Sequence, residues 1–176
     1  VCPGETVTFD GSGSIDRDEV FSDEGPLQYH WDFGSGNVAE GEIVTHIFDE
    51  PGQYEVRLTV SDDSETACGT GEDVTIVKVN AAPVAEAGHD RKAFVGGAHD
   101  AVLFDASQSY DPDEDPLTCY WDFGDGTRDF GEQVFHTYIK PGVYTVRLRV
   151  SDGEGTNCSE VWDQLTVVVR QRENAQ

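Results

Sequence analysis

Residues Trp121–Gly126 read WDFGDG, and residues His136–Asp152 read HTYIKPGVYTVRLRVSD. The same pattern occurs earlier in the chain, as WDFGSG over Trp31–Gly36 and as HIFDEPGQYEVRLTVSD over His46–Asp62. Each residue of the first copy has its counterpart 90 positions later. A pattern that recurs at a fixed spacing is typical of repeated structural units, so the sequence predicts two copies of one small domain.

Each copy has residue patterns typical of β-strands. Apolar side chains alternate with polar ones along Tyr144–Val150 and along Tyr54–Val60, as expected for strands with one buried face and one solvated face. A Pro-Gly pair precedes both runs and predicts a turn, because Pro fixes φ and Gly accepts positive φ. No segment has convincing helical periodicity. The sequence therefore predicts an all-β fold built from short strands.

The combined pattern, WDFG-x-G followed by H-x-[FY]-x-x-P-G-x-Y-x-V-x-L-x-V-S-D, resembles the polycystic kidney disease (PKD) domain family. The resemblance implies two tandem immunoglobulin-like β-sandwiches joined by a short linker, one over residues 1–80 and one over residues 81–176. The second repeat begins with a strand pattern at Val84–Gly88 that the first repeat does not have. We therefore expect a chain cut from a longer array, whose first domain lacks its opening strand and exposes a sheet edge that a neighbouring segment fills.

The charge of the chain is strongly negative, with 35 acidic against 11 basic residues and a net charge of −24. Nucleic acids and anionic lipids are poor partners for such a surface, because both require basic residues. No apolar run approaches about 18 residues, so we expect no membrane insertion. Two interpretations of the acidic residues stay open: a solvated surface, or groups of acids that bind divalent cations.

Four cysteines, two in each repeat, favour an oxidising compartment and hence an extracellular or cell-surface location. Four cysteines allow three pairings. The resemblance to the PKD fold favours Cys2–Cys68 and Cys119–Cys158. Four free, buried thiols are the alternative.

A calcium site is the main candidate for a functional site. Short oxygen-bearing side chains occupy alternate positions along Asp105–Asp115, and Ca²⁺ takes about six to eight oxygen ligands. The loop is not an EF-hand, because Pro116 stands where that loop needs Gly. The resemblance to PKD-like domains of secreted hydrolases implies two ligand sets: Asn80, Asp111, Asp113 and Asp152 in the second repeat, and Asp16, Asp18 and Asp62 in the first. The alternative is that these carboxylates cap turns and face water.

The remaining polar and aromatic motifs are interpreted as structural. Asp125 lies in a Gly-Asp-Gly turn, and the first repeat has Ser35 at this position, so a shared acid–base role is not expected. His46 and His136 recur at one strand position, and the repeated tryptophans of WDFG are expected to anchor the cores. No signature of a metalloprotease, an α/β-hydrolase, a P-loop or a dinucleotide site is present, so we expect no catalytic residues and no enzymatic activity.

These observations predict a non-catalytic segment of a larger secreted or cell-surface protein, either a stalk or a repeat of an adhesive or filament-forming protein. Its expected partners are neighbouring repeats or copies of itself. The alternative is an accessory module of a secreted hydrolase that contacts polysaccharide or collagen. For that alternative, Tyr110, Phe130 and Trp162 are candidates for a platform on which sugars stack.

Overall fold

A computed structural model describes residues 1–16, 26–62, 69–95 and 100–172. These residues form thirteen strands and no helix. The chain divides into two compact units, Val1–Asn80 and Ala81–Gln176. None of the described residues belongs to a helix with the length and hydropathy needed to cross a bilayer.

The first unit contains two antiparallel sheets that enclose an aromatic core. Its strands are β1 (Thr6–Asp10), β2 (Gln28–Asp32), β3 (Val38–Glu40), β4 (Ile43–Ile47), β5 (Gly52–Ser61) and β6 (Thr70–Val79). One sheet pairs β1 with β4, and the other has the order β3-β2-β5-β6. The core side chains come from both sheets and from the turns that follow β2 and β4; they are Phe9, Trp31, Phe33, Phe48, Val56, Leu58 and Val79.

The second unit repeats this plan with one additional strand. Its strands are β7 (Arg91–Val95), β8 (Val102–Asp105), β9 (Thr118–Asp122), β10 (Arg128–Phe130), β11 (Gln133–His136), β12 (Gly142–Ser151) and β13 (Glu160–Gln171). One sheet pairs β8 with β11, and the other has the order β10-β9-β12-β13-β7, in which only the β13–β7 pairing is parallel. In the first unit, β6 occupies the position that β13 has in the second. On the side of β6 away from β5, no strand of the described residues pairs with it.

The extra strand does not lie where the sequence predicted it. Val84–Gly88 was expected to open the second repeat as a strand, but it forms only an isolated bridge between Val84 and Tyr110. The next backbone N–H groups donate to side chains and not to a neighbouring strand. The N–H of Glu86 donates to Ser109 Oγ, and the N–H of Ala87 donates to Asp163 Oδ2. Because these donors are taken, the sheet edge is filled instead by β7.

The repeated tryptophans anchor both cores, as predicted. Trp31 is 5% exposed and Trp121 is 0% exposed. The indole N–H of Trp31 donates to the carbonyl of Gly41 at 2.9 Å, and that of Trp121 donates to the carbonyl of Gly131 at 3.1 Å. Each indole therefore fills the core and also satisfies a backbone carbonyl at the end of a hairpin.

The turn after the WDF strand needs its first glycine for different reasons in the two repeats. Gly34 and Gly124 both have positive φ, at 84° and 75°. A Cβ at Gly34 would meet no atom within 4 Å, whereas one at Gly124 would lie 2.5 Å from the carbonyl oxygen of Thr145. The second repeat thus requires glycine sterically as well as conformationally.

Replacing these two glycines by alanine is expected to have unequal effects. Gly124→Ala should lower the free energy of unfolding by about 3 kcal/mol or more, because strain at positive φ adds to a clash with rigid backbone. Gly34→Ala should cost about 1 kcal/mol, because only the unfavourable φ remains. Equilibrium urea unfolding of both variants measures the difference, and equal losses would contradict it.

Candidate metal centre

The loop Asp111–Asp115 gathers three carboxylates in the second repeat. One ligand atom each from Asp111, Asp113 and Asp115 lies within 4.8 Å of the other two. Among the described residues, this is the group of carboxylates close enough to hold one cation. Two ligands of one Ca²⁺ can lie at most about 5 Å apart, since each is about 2.3–2.6 Å from the ion, so the spacing is compatible with calcium.

Local hydrogen bonds give the loop its shape. Asp111 Oδ1 accepts the backbone N–H of Asp113 at 2.7 Å and that of Asp115 at 3.4 Å. The backbone N–H of Glu114 donates to the Asp111 carbonyl, and Glu114 adopts a left-handed φ of 63°. Asp113 Oδ2 accepts the N–H of Ala81, the first residue of the second unit. The turn therefore holds the three acidic side chains together.

One carboxylate oxygen in this loop has no hydrogen-bond partner. Asp111 is 8% exposed, and its Oδ2 is buried and accepts no hydrogen bond. A buried acceptor without a partner is rare in native proteins, because burial removes the water that would otherwise satisfy it. A hard cation would satisfy this oxygen, so the donor chemistry of the loop fits calcium.

Some residues of this loop were predicted from the sequence as calcium ligands, and one was not. Asp111 and Asp113 lie in the carboxylate group, but Asp152 does not belong to it among the described residues. Asp152 is buried, and its Oδ1 accepts the N–H of Glu154. Asn80 is also buried, and its backbone N–H donates to the carbonyl of Val1. Asp115 was not assigned as a ligand, although its place in the alternating run is the signal that could have identified it.

In the first repeat, only part of the predicted ligand set can be described. Asp16 and Asp62 line one depression of about 420 Å³, together with Ser14. Asp18 lies outside the described residues. The described part of the first repeat contains no group of three carboxylates comparable to that of the second.

The predicted pairing of Cys119 with Cys158 is wrong. Cys158 is disulfide-bonded, but Cys119 is a free thiol. The alternation of β9 turns Cys119 into the hydrophobic core, opposite Val150 on β12. Cys158 lies instead in the turn before β13, where its Sγ is 3.4 Å from Thr156 Oγ1.

The other predicted pairing involves residues that are only partly described. Cys2 is disulfide-bonded, and Cys68, its predicted partner, lies outside the described residues. Cys2 and Cys158 are both in the disulfide-bonded state, and a structural disulfide is typical of proteins that fold in an oxidising compartment.

Alkylation should distinguish Cys119 from Cys158. Burial raises the pKa of the Cys119 thiol, and the nearby charge of Glu132 raises it further, so little of the reactive thiolate is present. Without reductant, iodoacetamide should label Cys119 slowly in the native chain and rapidly in urea, and should leave Cys158 unlabelled. Peptide mapping by mass spectrometry measures this, and a disulfide-linked Cys119 peptide would contradict the assignment.

Asp125 and His136 form a structural pair. Asp125 Oδ2 lies 2.9 Å from His136 Nε2, and Asp125 Oδ1 accepts from the N–H and hydroxyl of Thr127. The His136 ring stacks on Phe123 at 4.0 Å, and the first repeat has the same stack between His46 and Phe33. The first repeat keeps the ring stack although Ser35 stands at the position of Asp125. The contact between Asp125 and His136 therefore has a structural role in the turn.

Replacing Asp125 should make stability less dependent on pH. Burial opposes ionisation of Asp125, but the hydrogen bonds from Thr127 and His136 outweigh it and lower the pKa of the carboxyl. A lowered folded-state pKa stabilises the protein above the unfolded pKa of about 3.9, and this contribution is lost as the pH falls through the folded pKa. Asp125→Ser, which copies Ser35, should therefore cost about 1–3 kcal/mol near pH 7 and less below pH ~4.

Urea unfolding of Asp125→Ser between pH 3 and 7 measures this effect. Asp49→Ser, at an exposed position of the first repeat, is the control and should change stability by less than about 0.5 kcal/mol. A loss in Asp125→Ser that stays constant across the pH range would contradict the assignment.

The strands and the two compact units define the chain as a tandem of immunoglobulin-like β-sandwich modules. The family model of the PKD domain matches residues 1–77 and 80–167, so the chain belongs to the PKD domain family. The resemblance noted in the sequence is thereby confirmed. PKD domains are generally non-catalytic modules.

The proteins similar to this chain include two human proteins and a bacterial enzyme. Polycystin-1 from Homo sapiens is 32% identical over 152 residues, which covers 84% of this chain and 3% of polycystin-1. The dyslexia-associated protein KIAA0319 from Homo sapiens is 30% identical over 192 aligned positions, which covers 97% of this chain and 16% of that protein. Collagenase ColA from Clostridium perfringens is 38% identical over 60 residues, which covers 34% of this chain and 5% of the enzyme. The chain therefore spans less than a fifth of the length of each of these relatives.

Proposed function

We propose that this chain is a non-catalytic spacer or stalk segment of an extracellular or cell-surface protein, and that Ca²⁺ binds its Asp111–Asp115 loop. The observation that carries the calcium part is the buried Oδ2 of Asp111, which has no hydrogen-bond partner. The spacer role is supported by membership of a family of generally non-catalytic modules and by the tandem repeat. Neighbouring repeats, or copies of the chain itself, are its proposed partners.

An extracellular location is supported by the disulfide-bonded state of Cys2 and Cys158. Structural disulfides persist in oxidising environments and are rare in the reducing cytosol. A net charge of −24 keeps such a segment soluble and discourages binding to nucleic acids and anionic membranes.

The ligands of the proposed calcium are the carboxylates of Asp111, Asp113 and Asp115, to which the family resemblance adds Asn80 and Asp152. Bound Ca²⁺ supplies positive charge that offsets the mutual repulsion of the three carboxylates. The loop itself contributes the geometry, since Asp111 Oδ1 holds the turn and leaves Oδ2 for the ion. Asp113 Oδ2 already accepts the N–H of Ala81, so the loop is attached to the residue that directly follows Asn80.

The proposal extends to the first repeat, with Asp16, Asp18 and Asp62 as ligands. The alignment of the two repeats supports this second site, and so does the depression shared by Asp16 and Asp62. The described part of the first repeat contains no group of three carboxylates like that of Asp111, Asp113 and Asp115. We therefore expect its affinity for calcium to be lower than that of the second repeat.

Thermal unfolding with and without calcium tests the proposal. A ligand that binds the native state at 100 times its dissociation constant stabilises by about 2.7 kcal/mol, so the midpoint in excess Ca²⁺ should exceed that in EDTA by several degrees. Asp111→Asn should remove most of this shift. Asp105→Asn, in the same acidic run but outside the carboxylate group, should retain it. A wild-type midpoint that is the same in Ca²⁺ and EDTA would contradict calcium binding.

An accessory module of a secreted hydrolase, in contact with polysaccharide or collagen, is the second candidate function. It is favoured by the match to the Clostridium perfringens collagenase, which covers 34% of the chain. This candidate requires a surface that recognises a polymer, whereas the spacer role requires none.

A further inference from the structure

Four side chains form a continuous row across the outer face of the larger sheet in the second unit. Phe130 on β10 pairs with Tyr120 on β9, Tyr120 pairs with Arg149 on β12, and Arg149 pairs with Trp162 on β13. The rings of Phe130 and Tyr120 are 4.8 Å apart. The Arg149 guanidinium lies 5.0 Å from the Tyr120 ring and 5.7 Å from the Trp162 ring. We call these four residues the aromatic row.

The row is displayed to solvent. Phe130 is 65% exposed and Trp162 is 59% exposed, while the alternate residue Trp121 points into the core. Large aromatic side chains that lie exposed and contiguous on a soluble protein mark a contact surface more often than scattered ones do. Tyr110, the third aromatic candidate from the sequence, lies outside the row and bridges Val84.

The first repeat shows that the fold does not need this row. The same register there aligns Glu40 on β3, His30 on β2, Thr59 on β5 and Glu72 on β6. These four residues lie 90 positions before those of the aromatic row and include no large apolar side chain. Because one sheet carries polar residues where the other carries Phe, Tyr, Arg and Trp, the shared fold does not require the aromatic row.

Polar groups lie beside the aromatic rings. The adjoining row on the same face, two residues along each strand, is Arg128, Asp122, Arg147 and Gln164. An open depression of about 390 Å³ next to the row is lined by Arg147, Trp162, Asp163 and Gln164. Its volume is at the lower end of the range for small-ligand sites, and it combines one aromatic wall with several hydrogen-bonding groups.

The charge around the row suits an uncharged ligand. The aromatic row and the two rows that adjoin it on the same face contain three arginines and two carboxylates. These are Arg128, Arg147, Arg149, Asp122 and Glu160. Two ion pairs, Arg128–Asp122 and Arg149–Glu160, neutralise all of these charges except that of Arg147. The whole chain has a net charge of −24, so its long-range field repels polyanions from a surface that is locally almost neutral.

We propose that the aromatic row binds an uncharged polysaccharide. The C–H faces of its sugar rings stack on Trp162 and on the Tyr120–Phe130 pair, and its hydroxyls exchange hydrogen bonds with Arg147 and Gln164. Adjacent strands lie about 4.8 Å apart, so Trp162 and Tyr120, two strands apart, offer stacking positions about 10 Å apart along an extended chain.

A polysaccharide fits this surface better than an apolar peptide such as a proline-rich or collagen strand. The backbone of such a peptide offers carbonyl acceptors to Arg147, but proline has no N–H to donate to the amide oxygen of Gln164, and a buried unsatisfied group costs about 1–3 kcal/mol. Hydroxyl groups both donate and accept, so sugar rings satisfy these side chains while their apolar faces stack on the rings. The inference gives the second candidate function a site, and it depends on neither the spacer role nor calcium.

Sedimentation with insoluble polysaccharides tests the proposal on the whole chain. The probes are cellulose, chitin and a β-1,3-glucan, with alginate and fibrillar collagen as the polyanion and protein arms. The wild-type chain should bind at least one of the neutral polysaccharides and neither alginate nor collagen. Trp162→Glu and Phe130→Glu copy Glu72 and Glu40, and each should weaken binding at least tenfold, which is about 1.4 kcal/mol.

A matched control keeps the test specific. Phe135 is 70% exposed on the other sheet, so Phe135→Thr, which copies Thr45, removes an exposed aromatic outside the row and should leave binding unchanged. Thermal unfolding of all three variants confirms that they fold. The proposal is overturned if no neutral polysaccharide is bound, if Trp162→Glu binds as the wild type does, or if the row binds collagen or alginate instead. Since the readout is polymer binding, failure here leaves the calcium result intact, and an absent calcium shift leaves this proposal intact.

Discussion

The pairing register of β9, β12 and β13 is the constraint on which most of the second unit depends. It sets Trp121 opposite Leu148 on the inner face and Tyr120 opposite Arg149 on the outer face. A shift by one residue would reverse these faces, because side chains alternate along a strand. The buried indole of Trp121 fixes the register, since its volume fits only the core and its N–H needs the carbonyl of Gly131. The first repeat uses the same device with Trp31 and Gly41.

Much of this fold was predictable because its determinants are local in sequence. The repeat, the alternation along β5 and β12 and the WDFG anchors are each visible in short segments. The opening strand at Val84–Gly88 was mispredicted because its N–H groups bond to Ser109 and Asp163, which are remote in sequence. The Cys119–Cys158 pairing failed for a similar reason, since only the register of β9 reveals that Cys119 faces the core.

The candidate sites differ in how far sequence reasoning reached them. The acidic loop is contiguous, so Asp111 and Asp113 were identified from their spacing, whereas the unpartnered Oδ2 of Asp111 could be seen only in three dimensions. The aromatic row was only half predictable. Phe130 and Trp162 were predicted, together with Tyr110, as candidates for a sugar-stacking platform, but Tyr120 and Arg149 join them only through the alignment of four strands.

The proposal for the aromatic row follows from a difference between two repeats that share one fold. Each repeat is an internal control for the other, since a residue present in one and absent from the other cannot be required by the common architecture. The aromatic row and the carboxylate group, as far as the described residues extend, occur in the second repeat only.

A crystal structure of the chain grown in calcium chloride is the most direct measurement of the central claim about the acidic loop. We expect an anomalous peak about 2.3–2.6 Å from Asp111 Oδ2, with further oxygens of Asp113 and Asp115 around the same ion. A loop in which Asp111 Oδ2 is bonded to water or to a protein donor, with no such peak, would contradict the account.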